Sequence, residues 1–347
     1  MRRYLPLLLM SFFLVIITVF GTNLLADAGK ENPVEKKHIV VYSTLPVEQV
    51  AVLAQEYEKT SGIVVDVAPL SSIDLVSRLV MESAEPHADI ILANSDTLKQ
   101  IAKLKMLTAY NSEATELVPE RFCGEDNQWI GVWYDPIVFV ANQDYLKKMS
   151  RPPQKWDDLL TASPCRLVIT DFLAADASGN ILNTLAAVRG ENGALAYLEK
   201  LHPNIVQYAK FLSTPPRMVG LGEADIAIAV ESEAVRYVKD SFPVTIIHPE
   251  DGTAYLLTGA GVMAGGTHEK EAKAFVDWLV QNQAQTALYD NRFYMIPTNR
   301  DTIVYKKLVG NETGKPIPLF EYEDKLNALE KQKLLDKWVK TVRLSPR

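Results

Sequence analysis

The chain has 347 residues, 48% of them hydrophobic and 23% charged, which is room for two domains, each with a core of its own. Its 36 basic residues against 43 acidic ones leave a net charge of -7 with no basic stripe, which argues against nucleic acid as a partner.

Met1-Arg2-Arg3 is basic, residues 5–20 are almost wholly apolar, and Ala26-Asp27-Ala28 has the small-x-small form of a cleavage site. Residues 1–28 are read as a secretory signal cleaved before Gly29; an uncleaved anchor is the alternative, since a membrane span needs roughly 20 apolar residues. Either reading places the folded part in the periplasm or another extracytoplasmic space. There the two cysteines, Cys123 and Cys165, either pair or remain thiols, and two Cys are too few for a metal site.

Residues 38–42 (HIVVY) predict a strand feeding the loop Ser43-Thr44-Leu45-Pro46. Val47, Val50, Ala51, Ala54 and Tyr57 then recur at helical spacing up to Ser61-Gly62, and residues 63–67 form the next strand. Ser71-Ser72 leads into a helix with Ile73, Val76, Leu79 and Val80 on one face; residues 88–92 are a strand, and Asn94-Ser95-Asp96 caps a helix through Lys105. Strand, loop and helix in alternation predict a mainly parallel sheet covered by helices, with ligands beyond the carboxyl ends of its strands. Ser43-Thr44, Ser71-Ser72 and Asn94-Ser95 would then share one edge, as ligand groups or as plain helix caps.

Residues 128–142 (QWIGVWYDPIVFVAN) interrupt this rhythm with two β runs split at Asp135-Pro136, read as a crossing to a second lobe. Trp133 and Tyr134 either wall a pocket there or pack the crossing strands. Residues 167–169 are a buried strand, and Ser178-Gly179-Asn180 reads as cap and turn before the helical spacing of Ile181, Leu182 and Leu185. The N–H groups of a helix starting there make a seat for a small anion, with Gly179 letting it approach the backbone; an ordinary cap is the alternative. Asp171 either faces the cleft or caps its loop. Helices over 193–201 and 216–221, a strand over 226–230, a helix opened by Glu231-Ser232-Glu233 and a strand over 243–247 complete the lobe. A turn at 248–253 and β structure over 254–263 return the chain to the first lobe, where helices over 268–280 and up to Tyr289 follow. Leu326, Leu329, Leu334, Trp338 and Val342 fall near helical spacing in the tail.

A chain that crosses between lobes twice has the hinge a ligand-closing clamp requires. Trp129-Ile130-Gly131 with Asn142, Trp156-Asp157-Asp158-Leu159, Ser178-Gly179-Asn180, Gly222-Glu223-Ala224-Asp225, and the run from Pro249-Glu250-Asp251-Gly252-Thr253 through residues 272–279 to Pro297 carry a family likeness in their order and spacing. Together they resemble the extracytoplasmic solute-binding proteins of ABC importers, in the branch that takes ferric iron and phosphorylated solutes. The resemblance implies an α/β, two-lobed periplasmic-binding-protein type 2 fold with mixed, mainly parallel sheets and a two-crossing hinge. Residues 38–133 and 254–318 would form lobe 1, residues 134–253 lobe 2, and residues 319–347 a C-terminal helix. It also implies a monomer without catalytic residues, cofactor or metal, which hands a small-molecule solute to permease subunits in the membrane.

Ferric-ion binders of this family resemble one another in neighbouring tyrosines where this chain has Val230-Glu231-Ser232-Glu233-Ala234, so the phenolates that a hard cation wants are missing. A small anionic or zwitterionic solute of phosphonate or sugar-phosphate type fits better. Ser43, Thr44, Ser71, Ser72, Asn94 and Ser95 from one lobe and Ser178, Gly179 and Asn180 from the other would hold it, with Tyr134 and Asp171 beside them. Glu231 would meet an amine or hydroxyls, or is a charge favoured in the first turn of its helix; Arg236 and Arg217 either contact a phosphate or are solvated. Ferric-iron or polyamine binding and a membrane-tethered sensor or scaffold are the alternatives. An enzyme finds no support: G-x-S-x-G, H-E-x-x-H, P-loop and C-x-x-C motifs are absent, and the five histidines are scattered.

Overall fold

The computed structural model describes residues 37–162, 164–309, 316–321 and 326–346. The proposed signal segment lies outside them. In the first lobe, β1 (His38–Ser43) pairs in parallel with β2 (Val64–Pro69) and β3 (Ile90–Asn94), while β10 (Tyr255–Met263) runs antiparallel between β3 and β5 (Ile130–Asn142). The second lobe continues from β5 through β8 (Ile226–Val230) and β6 (Leu167–Thr170) to β7 (Ile205–Ala209), with β8, β6 and β7 mutually parallel. Apolar runs such as Ile90-Ile91-Leu92 are buried on both faces, as strands covered by helices must be.

β5 belongs to both lobes, and every one of its 13 residues is buried. Trp133, Tyr134, Asp135 and Pro136 pair with β10, whereas Ile137 to Ala141 pair with β8 and Phe139 to Asn142 with β9 (Val244–Ile247). The change of neighbours falls at Pro136, whose missing N–H leaves a gap in a ladder. The return crossing lies alongside: the Ile137 N–H donates to the Ala254 carbonyl at 2.8 Å, and the Thr253 hydroxyl to the Ile137 carbonyl at 2.6 Å. The turn leading there needs Gly252, because φ is +98° and an added Cβ would stand 2.7 Å from the Phe320 ring.

Strand register explains which loops share an edge. β1 and β3 are parallel, so Thr44 and Asn94 emerge together, and the Thr44 N–H donates to the Leu92 carbonyl at 3.2 Å. β2 sits at the far end of the sheet order, which removes Ser71 and Ser72 from the junction between the lobes. In the second lobe, β6 and β8 bring the starts of helices Asp176–Arg189 and Glu231–Lys239 to one edge. Helix Asp176–Arg189 begins earlier than the sequence pattern suggests, so Ser178-Gly179-Asn180 lies within its first turns instead of in a loop before it. Cys123 packs on the first core and Cys165 in the second; both are free thiols, and burial pushes each up to about 11.

The tail passes the hinge, where Leu319 bridges Thr253, and helix Ala328–Trp338 then docks on the second lobe through Leu334 and Trp338, joined by Val342 of the π-helical turn Val339–Arg343. The Trp338 ring lies 4.6 Å from Phe172 and 5.7 Å from Tyr208. Lys331 on the same helix reaches Asp96 of the first lobe at 2.7 Å, so the tail touches both halves. Replacing Trp338 with Ala leaves a large cavity in the second core. Chemical denaturation should show a loss of about 3–5 kcal/mol, and a loss below about 1 kcal/mol would mean that the tail is a loosely held appendage.

Candidate functional site

Helix starts from both lobes enclose a cavity of about 480 Å³ beside the hinge. Pro46 and Gln49 at the head of helix Val47–Ser61 and Ser95 at the head of helix Ser95–Lys103 line it from the first lobe; Ala177 and Ser232 line it from the second. A helix start carries unpaired N–H groups and roughly half a positive charge. Helices Val47–Ser61 and Asp176–Arg189, whose first turns contribute Gln49 and Ala177 to the lining, have no side-chain cap, so their first N–H groups are not answered by a capping side chain. Helix Ser95–Lys103 is capped by Asn94, whose Oδ1 accepts from the Thr97 N–H at 2.9 Å. At helix Glu231–Lys239, the Ser232 N–H and hydroxyl donate to the two oxygens of Asp135 at 2.9 and 2.5 Å.

Charged groups complete the lining. Lys99, Arg121 and Arg236 supply cations, while Asp96, Asp135 and Glu233 supply carboxyls. Asp96 is held by Lys331, and Glu233 lies 3.7 Å from Arg236. Trp129, Trp133, Phe293 and Tyr294 give apolar walls, and Tyr255 and Thr258 add hydroxyls.

Of the residues expected from sequence to hold a solute, Thr44, Asn94, Ser95 and Asn180 line this cavity. The Asn180 amide also donates to the Tyr255 carbonyl at 2.9 Å, tying the second lobe to the return crossing. The others are placed elsewhere for identifiable reasons. Ser43 is fully buried and its hydroxyl serves the backbone, donating to the Leu92 carbonyl and accepting from the Leu45 N–H. Ser71 caps the helix Ser72–Met81 at the far edge, and Ser72 opens that helix. Tyr134 turns into the first core, stacked on Phe122 at 5.1 Å, and burial raises its pKa strongly. Ser178 donates to the Asp171 and Ala175 carbonyls, closing the loop before its helix, and Gly179 lies in helical backbone with the Phe172 carbonyl 3.4 Å from where a Cβ would sit. Asp171 is drawn to Arg343 of the tail at 2.9 Å, and Glu231, 3% exposed, to His248 at 2.9 Å. Burial works against a charge on His248, yet the Glu231 carboxylate raises its pKa.

Sequence reasoning set Trp133 and Arg236 aside and passed over Gln49, Lys99 and Arg121. Two of these had a readable signal. Gln49 is a polar residue in the stripe that continues with Leu53 and Tyr57, all buried, and Lys99 lies one turn after Ser95 on the same helix face. Arg121 comes from a single 3-10 turn, Glu120–Phe122, too short for any periodicity to mark.

Asp135 carries the most perturbed carboxyl on the lining. Burial pushes it from 3.8 up to about 7; the Ser232 hydrogen bonds oppose this, and the Glu231 and Glu233 charges reinforce it. The folded chain therefore keeps this proton to higher pH than the unfolded chain does. Its contribution to stability is full below the unfolded value and lost as pH rises through the folded one. In ligand-free protein, Asp135→Asn should lose less stability than the wild type between about pH 4 and 8 by denaturant titration; parallel curves would show that Asp135 titrates normally.

The chain matches the family of bacterial extracellular solute-binding proteins over residues 52–304. It is 28% identical over 280 residues to an uncharacterized protein of Haemophilus influenzae, covering 78% of this chain and 80% of that one. It is 23% identical over 293 residues to the Fe(3+)-binding periplasmic protein of Serratia marcescens, covering 80% and 84%. Among solved structures it is similar to the periplasmic binding protein AfuA of Actinobacillus pleuropneumoniae with exogenous fructose-6-phosphate bound, at TM-score 0.69 and 24% identity, covering 90% of this chain and 100% of that one. The architecture is the type 2 periplasmic-binding-protein fold. With two lobes, a double crossing and a cavity between them, the chain belongs to the bacterial extracellular solute-binding proteins.

Proposed function

We propose that this protein captures a small anionic or zwitterionic solute of phosphonate or sugar-phosphate type outside the cytoplasm and delivers it to the permease subunits of an ABC importer. The observation that carries this reading is the convergence of two helix starts without a capping side chain, those of Val47–Ser61 and Asp176–Arg189, and three basic side chains, Lys99, Arg121 and Arg236, on one inter-lobe cavity. An anion meets both the helix N–H groups and the cations, and in a site shielded from water those contacts are stronger than in solvent. A volume of about 480 Å³ suits a phosphorylated small molecule better than a bare metal ion. The Serratia relative is named for ferric ion, whereas AfuA was solved with fructose-6-phosphate. The donor set here favours the second chemistry: Asp96 is paired with Lys331, Asp135 with Ser232, and Glu231 is turned to His248. The protein returns its solute chemically unchanged.

In thermal-shift and calorimetric titrations, fructose 6-phosphate or 2-aminoethylphosphonate should raise the melting temperature by several degrees, and ferric citrate should not. Lys99→Ala or Arg121→Ala should each weaken anion binding by about tenfold or more, as expected for loss of a charge-assisted contact. Stabilisation by ferric citrate alone would assign the site to iron and overturn this reading.

A further inference from the structure

The start of helix Glu231–Lys239 is tied to both crossings, by one residue each. The Ser232 N–H and hydroxyl hold the two oxygens of Asp135, the residue before Pro136 where β5 changes partners. Glu231 meets His248 Nε2 at 2.9 Å, and His248 opens the turn that leads to the return crossing at Thr253 and Ala254. Neither Glu231 nor His248 lines the cavity, so this ion pair acts on the hinge and not on a solute directly.

Both ties hold a proton. Burial pushes Asp135 from 3.8 up to about 7 against the Ser232 hydrogen bonds, and the Glu231 and Glu233 charges add to it. Burial opposes a charge on His248, but the Glu231 carboxylate outweighs it and raises its pKa above 6.5. Few other charges stand near. The helix adds Arg236, 3.7 Å from Glu233; β5 adds Tyr134, on whose hydroxyl Arg300 and Arg121 act; β8 and β9 carry no charged side chain. Arg217 of the neighbouring helix Thr214–Gly220 acts on Tyr237 instead.

The two groups work in the same direction. Each binds its proton more tightly with the hinge tied than it would in water, so each tie is strongest at low pH and weakens as pH rises through the raised value. At low pH Asp135 is neutral and His248 answers Glu231; past neutrality Asp135, Glu231 and Glu233 are all carboxylates and Arg236 is the cation left beside them. Resting on the function proposed above, we propose that Asp135 and His248 form a proton-operated switch at the hinge. With both protonated, one helix start holds both crossings and the anionic solute is bound tightly. With both protons lost, the ties slacken, the carboxylate of Asp135 opposes the solute's charge, and the solute is held weakly.

His248→Gln still donates to Glu231 but carries no charge, and Asp135→Asn still pairs with Ser232 but cannot ionise. In calorimetric titrations with fructose 6-phosphate, wild-type affinity should fall about tenfold or more between about pH 6 and 8. His248→Gln should bind more weakly than the wild type at the acid end and alike at the alkaline end; Asp135→Asn should bind more tightly at the alkaline end. Comparing the proteins at each pH cancels the titration of the solute's own phosphate. Parallel profiles for all three would overturn the switch. A second readout needs no solute: in ligand-free wild type, amide hydrogen exchange over residues 130–142 and 248–256, corrected for the intrinsic rate, should lose protection across the same pH range. Either variant alone should flatten that change, and an equal loss in wild type and variants overturns the switch. If the wild type binds neither fructose 6-phosphate nor 2-aminoethylphosphonate at any pH, the proposed function fails, and the exchange comparison alone decides whether the hinge responds to these two protons.

Discussion

The constraint on which the rest depends is a strand that serves two sheets. Through β5 the chain leaves one core and enters another without leaving β geometry, and the change of partners falls at Asp135-Pro136. A proline there interrupts the ladder where two sheets must part, and the return crossing at Thr253, Ala254 and Tyr255 is hydrogen-bonded beside it. Two adjacent crossings fix where the halves meet while leaving few backbone bonds to bend. Because the strands beside β5 and β10 point their carboxyl ends at this junction, the helices that follow them must begin there. The cavity is a consequence of strand direction before it is a consequence of side-chain choice.

Strand direction also explains what could be read from the sequence and what could not. The alternation of apolar strands and amphipathic helices identifies most elements, and the break at Asp135-Pro136 marks the crossing. Thr44, Asn94, Ser95 and Asn180 line the cavity because they follow or begin elements whose order is legible. Ser71 and Ser72 have the same local chemistry but follow an edge strand, and edge position is a property of sheet order that no local pattern carries. Ser178 and Gly179 illustrate a different limit: polar residues suited to a cap also fit the first turn of a helix, where Ser178 bonds back to carbonyls. Glu231 and Asp171 were drawn away by His248 and Arg343, partners 17 and 172 positions distant in sequence.

Counted formally, the lining is balanced, with Lys99, Arg121 and Arg236 against Asp96, Asp135 and Glu233. The structure removes that balance. Lys331, brought over from the tail helix, neutralises Asp96 at 2.7 Å, and burial holds the Asp135 proton up to about 7. Arg121 and Arg236 are themselves offset by Glu321 and Glu233, each 3.7 Å away, so the tilt towards positive rests on Lys99 and on the uncapped starts of helices Val47–Ser61 and Asp176–Arg189. A chain with net charge -7 can thus present an anion-accepting interior, because net charge governs the surface and long-range field while the site is set by which carboxyls are answered locally. The tail belongs in that argument: docking Trp338 on the second lobe places Lys331 against Asp96, so packing at a distance from the solute adjusts the charge the solute meets.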